Sequence, residues 1–173
     1  MDNAFVAILM GSESDLPVMQ GAYDVLTSLG VRSEMKITSA HRTPAATKEY
    51  LADAESRGCA VFIAGAGLAA HLAGAVAAHT LKPVIGVPID SGPMQGMDSL
   101  LSTVQMPAGI PVATVAIGNA KNAGLLAIQI LATSRPALLD QVAQYRRDLE
   151  ASVLVKQQKL DHLGPHGYLQ NQG

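Results

Sequence analysis

Two histidines stand where a titratable ring could act on a bound small molecule. His41 lies in Ser39-Ala40-His41-Arg42-Thr43-Pro44, and His71 in Gly65-Ala66-Gly67-Leu68-Ala69-Ala70-His71-Leu72. An imidazole with an ordinary pKa near ~6.5 takes and returns a proton around neutrality. Arg42, beside His41, carries a planar donor fork suited to phosphate. A third segment, Gly11-Ser12-Glu13-Ser14-Asp15, sets hydroxyls among the free N–H groups of a helix start, which is an anion site. Asp15 can accept from both hydroxyls of a ribose diol; capping by Ser14 or Asp15 is the alternative use of the same turn. Together these residue types point to proton transfer on an anionic small molecule.

His71 differs from His41 in its setting. At the start of a helix the imidazolium form is disfavoured, so His71 reads as a neutral hydrogen-bond partner rather than a base, or else as a satisfied interior histidine. Gly65 to Gly67 let backbone approach a planar ligand closely, and Ala69 and Ala70 keep bulk away. His79, His162 and His166 have no spaced partner that would make a metal site. Asp98 with Ser99, and Lys121 with Asn119 and Asn122, read as polar groups at helix starts. The chain has no cysteine cluster, no G-x-S-x-G elbow and no acidic triplet for Mg²⁺, and its first turn is neither a Walker loop nor G-x-G-x-x-G. Chemistry without metal or cofactor is the expectation.

Such residues need elements to hold them. Short apolar runs alternate with helical stretches throughout, the pattern of a parallel sheet covered by helices. Strands are expected at Phe5–Met10, Ser33–Thr38, Ala60–Ala64, Pro83–Val87 and Val112–Ile117. Helices are expected at Asp15–Leu29, from Pro44 to about Arg57, Ala69–Thr80, Asp98–Val104, Asn119–Ala132 and about Pro136–Leu163. Both histidines then follow strands, at the carboxyl edge where open α/β sheets bind ligands. The last helix is too long to pack wholly on its own small domain, so it is expected to reach a neighbouring subunit. Residues 1–164 form one α/β domain in this reading, and 165–173 a partly ordered tail.

Composition sets the outer bounds. A net charge of −2 favours neither nucleic acid nor an anionic membrane surface. Charged residues are only 15% and hydrophobic ones 49%, with few aromatics, which argues for subunit contacts and a homo-oligomer. Ala60 to Ala78 approaches the length of a membrane span, but Gly65, Gly67, Gly74 and His71 break it into strand, glycine loop and buried helix. Cys59 reads as a small core residue in a reducing compartment. The first residues carry no basic stretch of a signal peptide, so a cytoplasmic location is expected.

Several motifs together carry a resemblance. Met10-Gly11-Ser12-Glu13-Ser14-Asp15, Ser39 to Pro44, Gly65-Ala66-Gly67 with Ala69 to Leu72, Pro83 to Pro88, Asp98 to Ser102, Val104 to Pro107, Gly109 to Val112 and Asn122-Ala123 occur in unbroken order. In these the chain resembles the N5-carboxyaminoimidazole ribonucleotide mutase family (PurE, class I) of bacterial purine biosynthesis, over roughly residues 4 to 135. The resemblance implies a three-layer αβα, flavodoxin-like fold with a five-stranded parallel sheet, a homo-octamer, a ribonucleotide substrate and an isomerisation without metal or cofactor. It implies that carbon dioxide leaves the exocyclic amine of the substrate and is recaptured by C4 of the same ring. His41 would shuttle the proton. Ser12, Asp15 and Arg42 would hold the ribose phosphate, assisted by Ser14 and Ser39, and His71, Gly67 and Leu72 would wall the reacting carboxylate. Two positions depart from the family pattern: Leu68 stands for a glycine and Ala73 for a proline. Leucine resists positive φ, so Leu68 is expected to reshape its loop. A carboxylase that uses free carbon dioxide, and a non-catalytic nucleotide- or flavin-binding module, are the competing readings.

Overall fold

The computed structural model describes residues 4–171. Five parallel strands, β1 (Phe5–Met10), β2 (Ser33–Ile37), β3 (Cys59–Gly67), β4 (Val84–Ile89) and β5 (Ala113–Thr114), form one sheet in the order β2-β1-β3-β4-β5. That is the order of flavodoxin-like doubly wound folds. The helices are α1 (Leu16–Ser28), α2 (Pro44–Ser56), α3 (Leu72–Ala77), α4 (Met97–Val104), α5 (Ala120–Ala132) and α6 (Ala137–Gln170).

Side chains alternate across the pleat, and each face of the sheet has its own core. Val6, Ile8 and Met10 of β1 join Val61, Ile63, Ile85 and Val87 beneath α1 and α5. Phe5, Ala7 and Leu9 turn the other way, with Phe62, Ala64 and Val84, towards Leu51 of α2 and Leu72 and Val76 of α3. Burial on both faces explains why these strands are continuous apolar runs rather than alternating ones.

Four boundaries differ from expectation in ways that matter. First, β3 runs on through Gly67, with Gly65, Ala66 and Gly67 opposite Val87, Pro88 and Ile89 of β4. The glycine segment is therefore strand, not loop. Second, α3 begins at Leu72 rather than Ala69, because Leu68 takes a left-handed conformation (φ 54°) and Ala70 N–H donates to Leu68 O at 2.8 Å. Leucine does adopt the positive φ it was expected to resist. Third, β5 is only two residues long: beyond Val115 N–H on Gly86 O the regular pairing is interrupted by a turn (Asn119 N–H on Ala116 O), and the chain touches β4 again only through Gly118 N–H on Pro88 O at 2.8 Å. Fourth, helix continues past Leu163: Gly164 (φ 64°, ψ 168°) kinks the chain and Pro165 opens a further helical segment to Gln170. Proline has no N–H for the preceding turn but fits a first turn, so a break followed by a restart is the expected result. Of the segment read as a tail, Gln172 and Gly173 lie outside the described residues.

Only Leu138 and Val142 of α6 are buried, and farther along Leu149, Val153, Leu154 and Val155 are half or more exposed. Among the described residues no helix is long and apolar enough to cross a membrane.

Candidate active site

Loops from four strands meet at the carboxyl edge of the sheet, around the β1/β3 switch point. The turn after β1 is tied down by Gly11 N–H donating to Gly65 O at 3.2 Å. Ser12 caps the short turn Glu13–Asp15 that leads into α1. Its Oγ accepts from Ser14 N–H (3.3 Å) and from the Ser14 hydroxyl (2.9 Å), while Asp15 Oδ2 accepts from Ser12 N–H at 3.0 Å. The cap is thus Ser12, reciprocated by Asp15, rather than Ser14. Asp15 is buried, and burial pushes its carboxyl above the usual 3.8 despite the opposing backbone N–H groups of Ser12 and Gly11.

The loop after β2 is held by hydroxyls. Thr38 and Thr47, both buried, pair through their Oγ1 atoms at 2.7 Å, and Thr47 Oγ1 also reaches Thr43 O at 3.0 Å. Thr43 Oγ1 accepts from Ser39 N–H at 3.0 Å, and Thr43 N–H donates to Ser39 O at 2.8 Å. This lattice holds the short arc that presents His41 and Arg42. Arg42 N–H donates to Ser39 Oγ at 3.1 Å, and the guanidinium reaches across to Gly11 O (3.1 Å) and Ser39 Oγ (3.4 Å). Arg42 therefore bridges the turn after β1 and the loop after β2. Among the described residues it meets no carboxylate.

The end of β3 brings the second histidine to the first. His71 Nδ1 lies 3.1 Å from His41 Nε2, with the rings tilted by 43°. One nitrogen must donate and the other accept, so a proton on His41 Nε2 requires His71 to be neutral at Nδ1. Close beside them Gly67 leaves no room for a side chain: a Cβ there would lie 1.6 Å from Ser91 Oγ.

One cavity of about 520 Å³ joins these pieces. Ser12, Ser14 and Asp15 line it from the first turn, Ser39, His41 and Arg42 from the second, and Gly67, His71 and Leu72 from the third. The structure thus gathers all nine sequence-nominated residues around one space. It adds Ala40, Ala66, Leu68, Ala69 and Ser91. Ser91 was missed as a site residue, although its place just after β4 on the same edge was a usable signal. Arginine fork, helix-start N–H groups, exposed hydroxyls and a coupled histidine pair can bind a phosphorylated, planar molecule and move a proton on it. Among the described residues no three His, Cys, Asp or Glu side chains gather as a metal-binding group.

Comparison with known proteins agrees with this chemistry. The N5-carboxyaminoimidazole ribonucleotide mutase of Synechocystis is 59% identical over 96% of this chain and 95% of its own length. The corresponding mutase of Pyrococcus horikoshii is 52% identical over 97% of this chain and 95% of its own. Among solved structures, Treponema denticola PurE superposes with a TM-score of 0.82 at 30% identity, covering 91% of this chain and 98% of that one. The family profile described as AIR carboxylase matches residues 5–152, which span all four loops of the cavity. By sequence and by fold the chain belongs to the AIR carboxylase family.

Proposed function

We propose that this chain is an N5-carboxyaminoimidazole ribonucleotide mutase, an isomerase of purine biosynthesis that moves a carboxyl group from the exocyclic nitrogen of its substrate to C4 of the same imidazole ring. The observation that carries the reading is the His41–His71 contact at 3.1 Å, set beside Arg42 in one cavity. The net reaction breaks one C–N bond, forms one C–C bond and moves one proton from C4 to nitrogen. His41 supplies the proton that lets nitrogen leave as an amine and takes the one C4 gives up; His71, neutral, accepts from His41 while it is protonated. Arg42, Ser12 and Asp15 hold the ribose phosphate, Ser14 and Ser39 add hydroxyls, and Gly67, Leu72 and His71 wall the carboxylate. Carbon dioxide freed in a small apolar space is recaptured locally instead of from dilute solution.

The mutases are 59% and 52% identical with 95% of their length covered, whereas carboxylases 48–51% identical are covered over only 30% of theirs, which supports this reading over a carboxylase that draws on free carbon dioxide. The test is incubation with the carboxyamino substrate and no added bicarbonate. Appearance of the C4-carboxylated isomer is expected. Formation of that product only from aminoimidazole ribonucleotide plus bicarbonate would favour the carboxylase, and nucleotide binding without any product would favour a binding module.

The half-exposed apolar residues of α6 support assembly as a homo-oligomer, an octamer by family resemblance, with α6 packed on a neighbouring subunit. A cytoplasmic place belongs to the same reading. Light scattering of the purified chain measures the assembly, and a monomeric mass would remove that part.

A further inference from the structure

We infer that Leu68 is a retaining wall for the carbon dioxide set free between the two halves of the reaction. The inference rests on the mutase reading above. Leu68 holds φ 54°, a left-handed backbone conformation that residues with a Cβ rarely keep. A turn alone would be better served by glycine, so a leucine here calls for a use for its side chain.

That side chain has a definite place. It lines the cavity together with Ala66, Ala69 and Leu72. Its far end also reaches the loop after β4, where a Cβ on Gly92 would lie 2.6 Å from Leu68 Cδ2. Leu68, 51% exposed, therefore joins the segment after β3 to the loop after β4 along the solvent side of the cavity, and it does so with methyl groups only. When the C–N bond of the substrate breaks, the nitrogen takes a proton from His41 and becomes an amine, and neutral carbon dioxide is left beside the ring. Two fates follow. C4 attacks it, forming the C–C bond and then releasing its proton to His41, or the gas escapes and leaves aminoimidazole ribonucleotide, with His41 reprotonated by solvent. A small apolar molecule makes no strong hydrogen bond to hold it, so shape and exclusion of water decide between these fates. Leu68 supplies that shape on the side where the neighbouring residues are alanines.

The experiment uses the full chain and substrate carrying ¹³C in the migrating carboxyl, in buffer equilibrated with unlabelled bicarbonate. Label retained in the C4 product is read by NMR, together with free aminoimidazole ribonucleotide, after subtraction of enzyme-free decay. Leu68→Gly accepts φ 54° without strain, so it is expected to fold. It should lose roughly threefold more label per product formed than the parent enzyme, while Leu68→Met should retain label as the parent does. Equal retention by Leu68→Gly and the parent, or equal leakage by Leu68→Met and Leu68→Gly, would overturn the inference. If the parent chain makes no C4 isomer at all, the mutase reading itself fails, an outcome distinct from any change confined to the variants.

Discussion

Two arginines at opposite ends of the sheet show how one residue type serves structure in one place and chemistry in another. Towards the amino edge, Arg57 closes α2 with its fork on the Glu34 carboxylate of β2 (2.6 and 2.8 Å) and its Nε on Asp53 at 2.7 Å. Tyr50 adds its hydroxyl to Glu34 at 2.6 Å, and the guanidinium lies 5.2 Å from the Phe5 ring centroid. At the carboxyl edge, Arg42 rests only on a carbonyl and a hydroxyl. The first positive charge has its partners in the fold; the second is left for the anion that the proposed function requires. The carboxylates follow the same division. Arg57 pulls Glu34 from 4.5 down to about 2, whereas burial pushes Asp15 up.

The contrast can be broken at either edge. His41→Asn removes the proposed proton carrier while keeping a polar side chain, so turnover should fall by roughly 10²- to 10⁴-fold with ribonucleotide binding retained. Steady-state kinetics with calorimetric titration checks this. Arg42→Ala should raise KM by roughly ten- to a hundredfold through loss of charge-assisted bonds to phosphate, with little change in melting temperature. Arg57→Ala should do the reverse, lowering the melting temperature and leaving KM alone.

Between the two edges stands the threonine lattice under the His41 loop. Thr47→Val removes the 2.7 Å partner of the buried Thr38 hydroxyl, leaves it only the longer contact to Thr43 Oγ1 at 3.4 Å, and should cost about 1 kcal/mol by urea melts. Because that lattice orients His41, kcat should fall more than KM rises, and Thr47→Ser should restore both.

The two carboxylates give the smallest effects, of opposite sign. Glu34 has a depressed folded pKa, so its stabilisation is present above 4.5 and is lost as pH falls through about 2. Glu34→Gln should therefore lower the melting temperature at neutral pH but not near pH 2. Asp15 has a raised pKa, so its contribution is complete below 3.8 and is lost as pH rises through the folded value. Asp15→Asn should raise the melting temperature of the free chain at neutral pH while weakening ribonucleotide binding. Thermal melts across pH read both signs.

Much of this edge was legible from residue types because loops at strand ends keep their chemistry local. Ser12 to Asp15, Ser39 to Arg42 and Gly67 to Leu72 are short stretches, and the alternation of strand and helix puts all three on one side of the sheet. The contact between His41 and His71 was not legible, since it depends on the spacing of β2, β1 and β3 rather than on any local pattern. Leu68 misled for a related reason: a backbone preference is weak evidence where the end of β3 on one side and Gly92 on the other fix the turn. The threonine lattice stayed hidden because Thr38, Thr43 and Thr47 are unremarkable singly and meaningful only once a loop folds back on its helix. The break at Gly164 was read as the end of the last helix, whereas the helical segment after it depended on proline's fitness for a first turn.

The division of labour at the carboxyl edge is tested most directly by titrating aminoimidazole ribonucleotide into His41→Asn and Arg42→Ala side by side, with turnover measured on the same preparations. The expected result is near-parental affinity with turnover lost in His41→Asn, and weakened affinity in Arg42→Ala. Equal loss of affinity in both, or full turnover in His41→Asn, would contradict it.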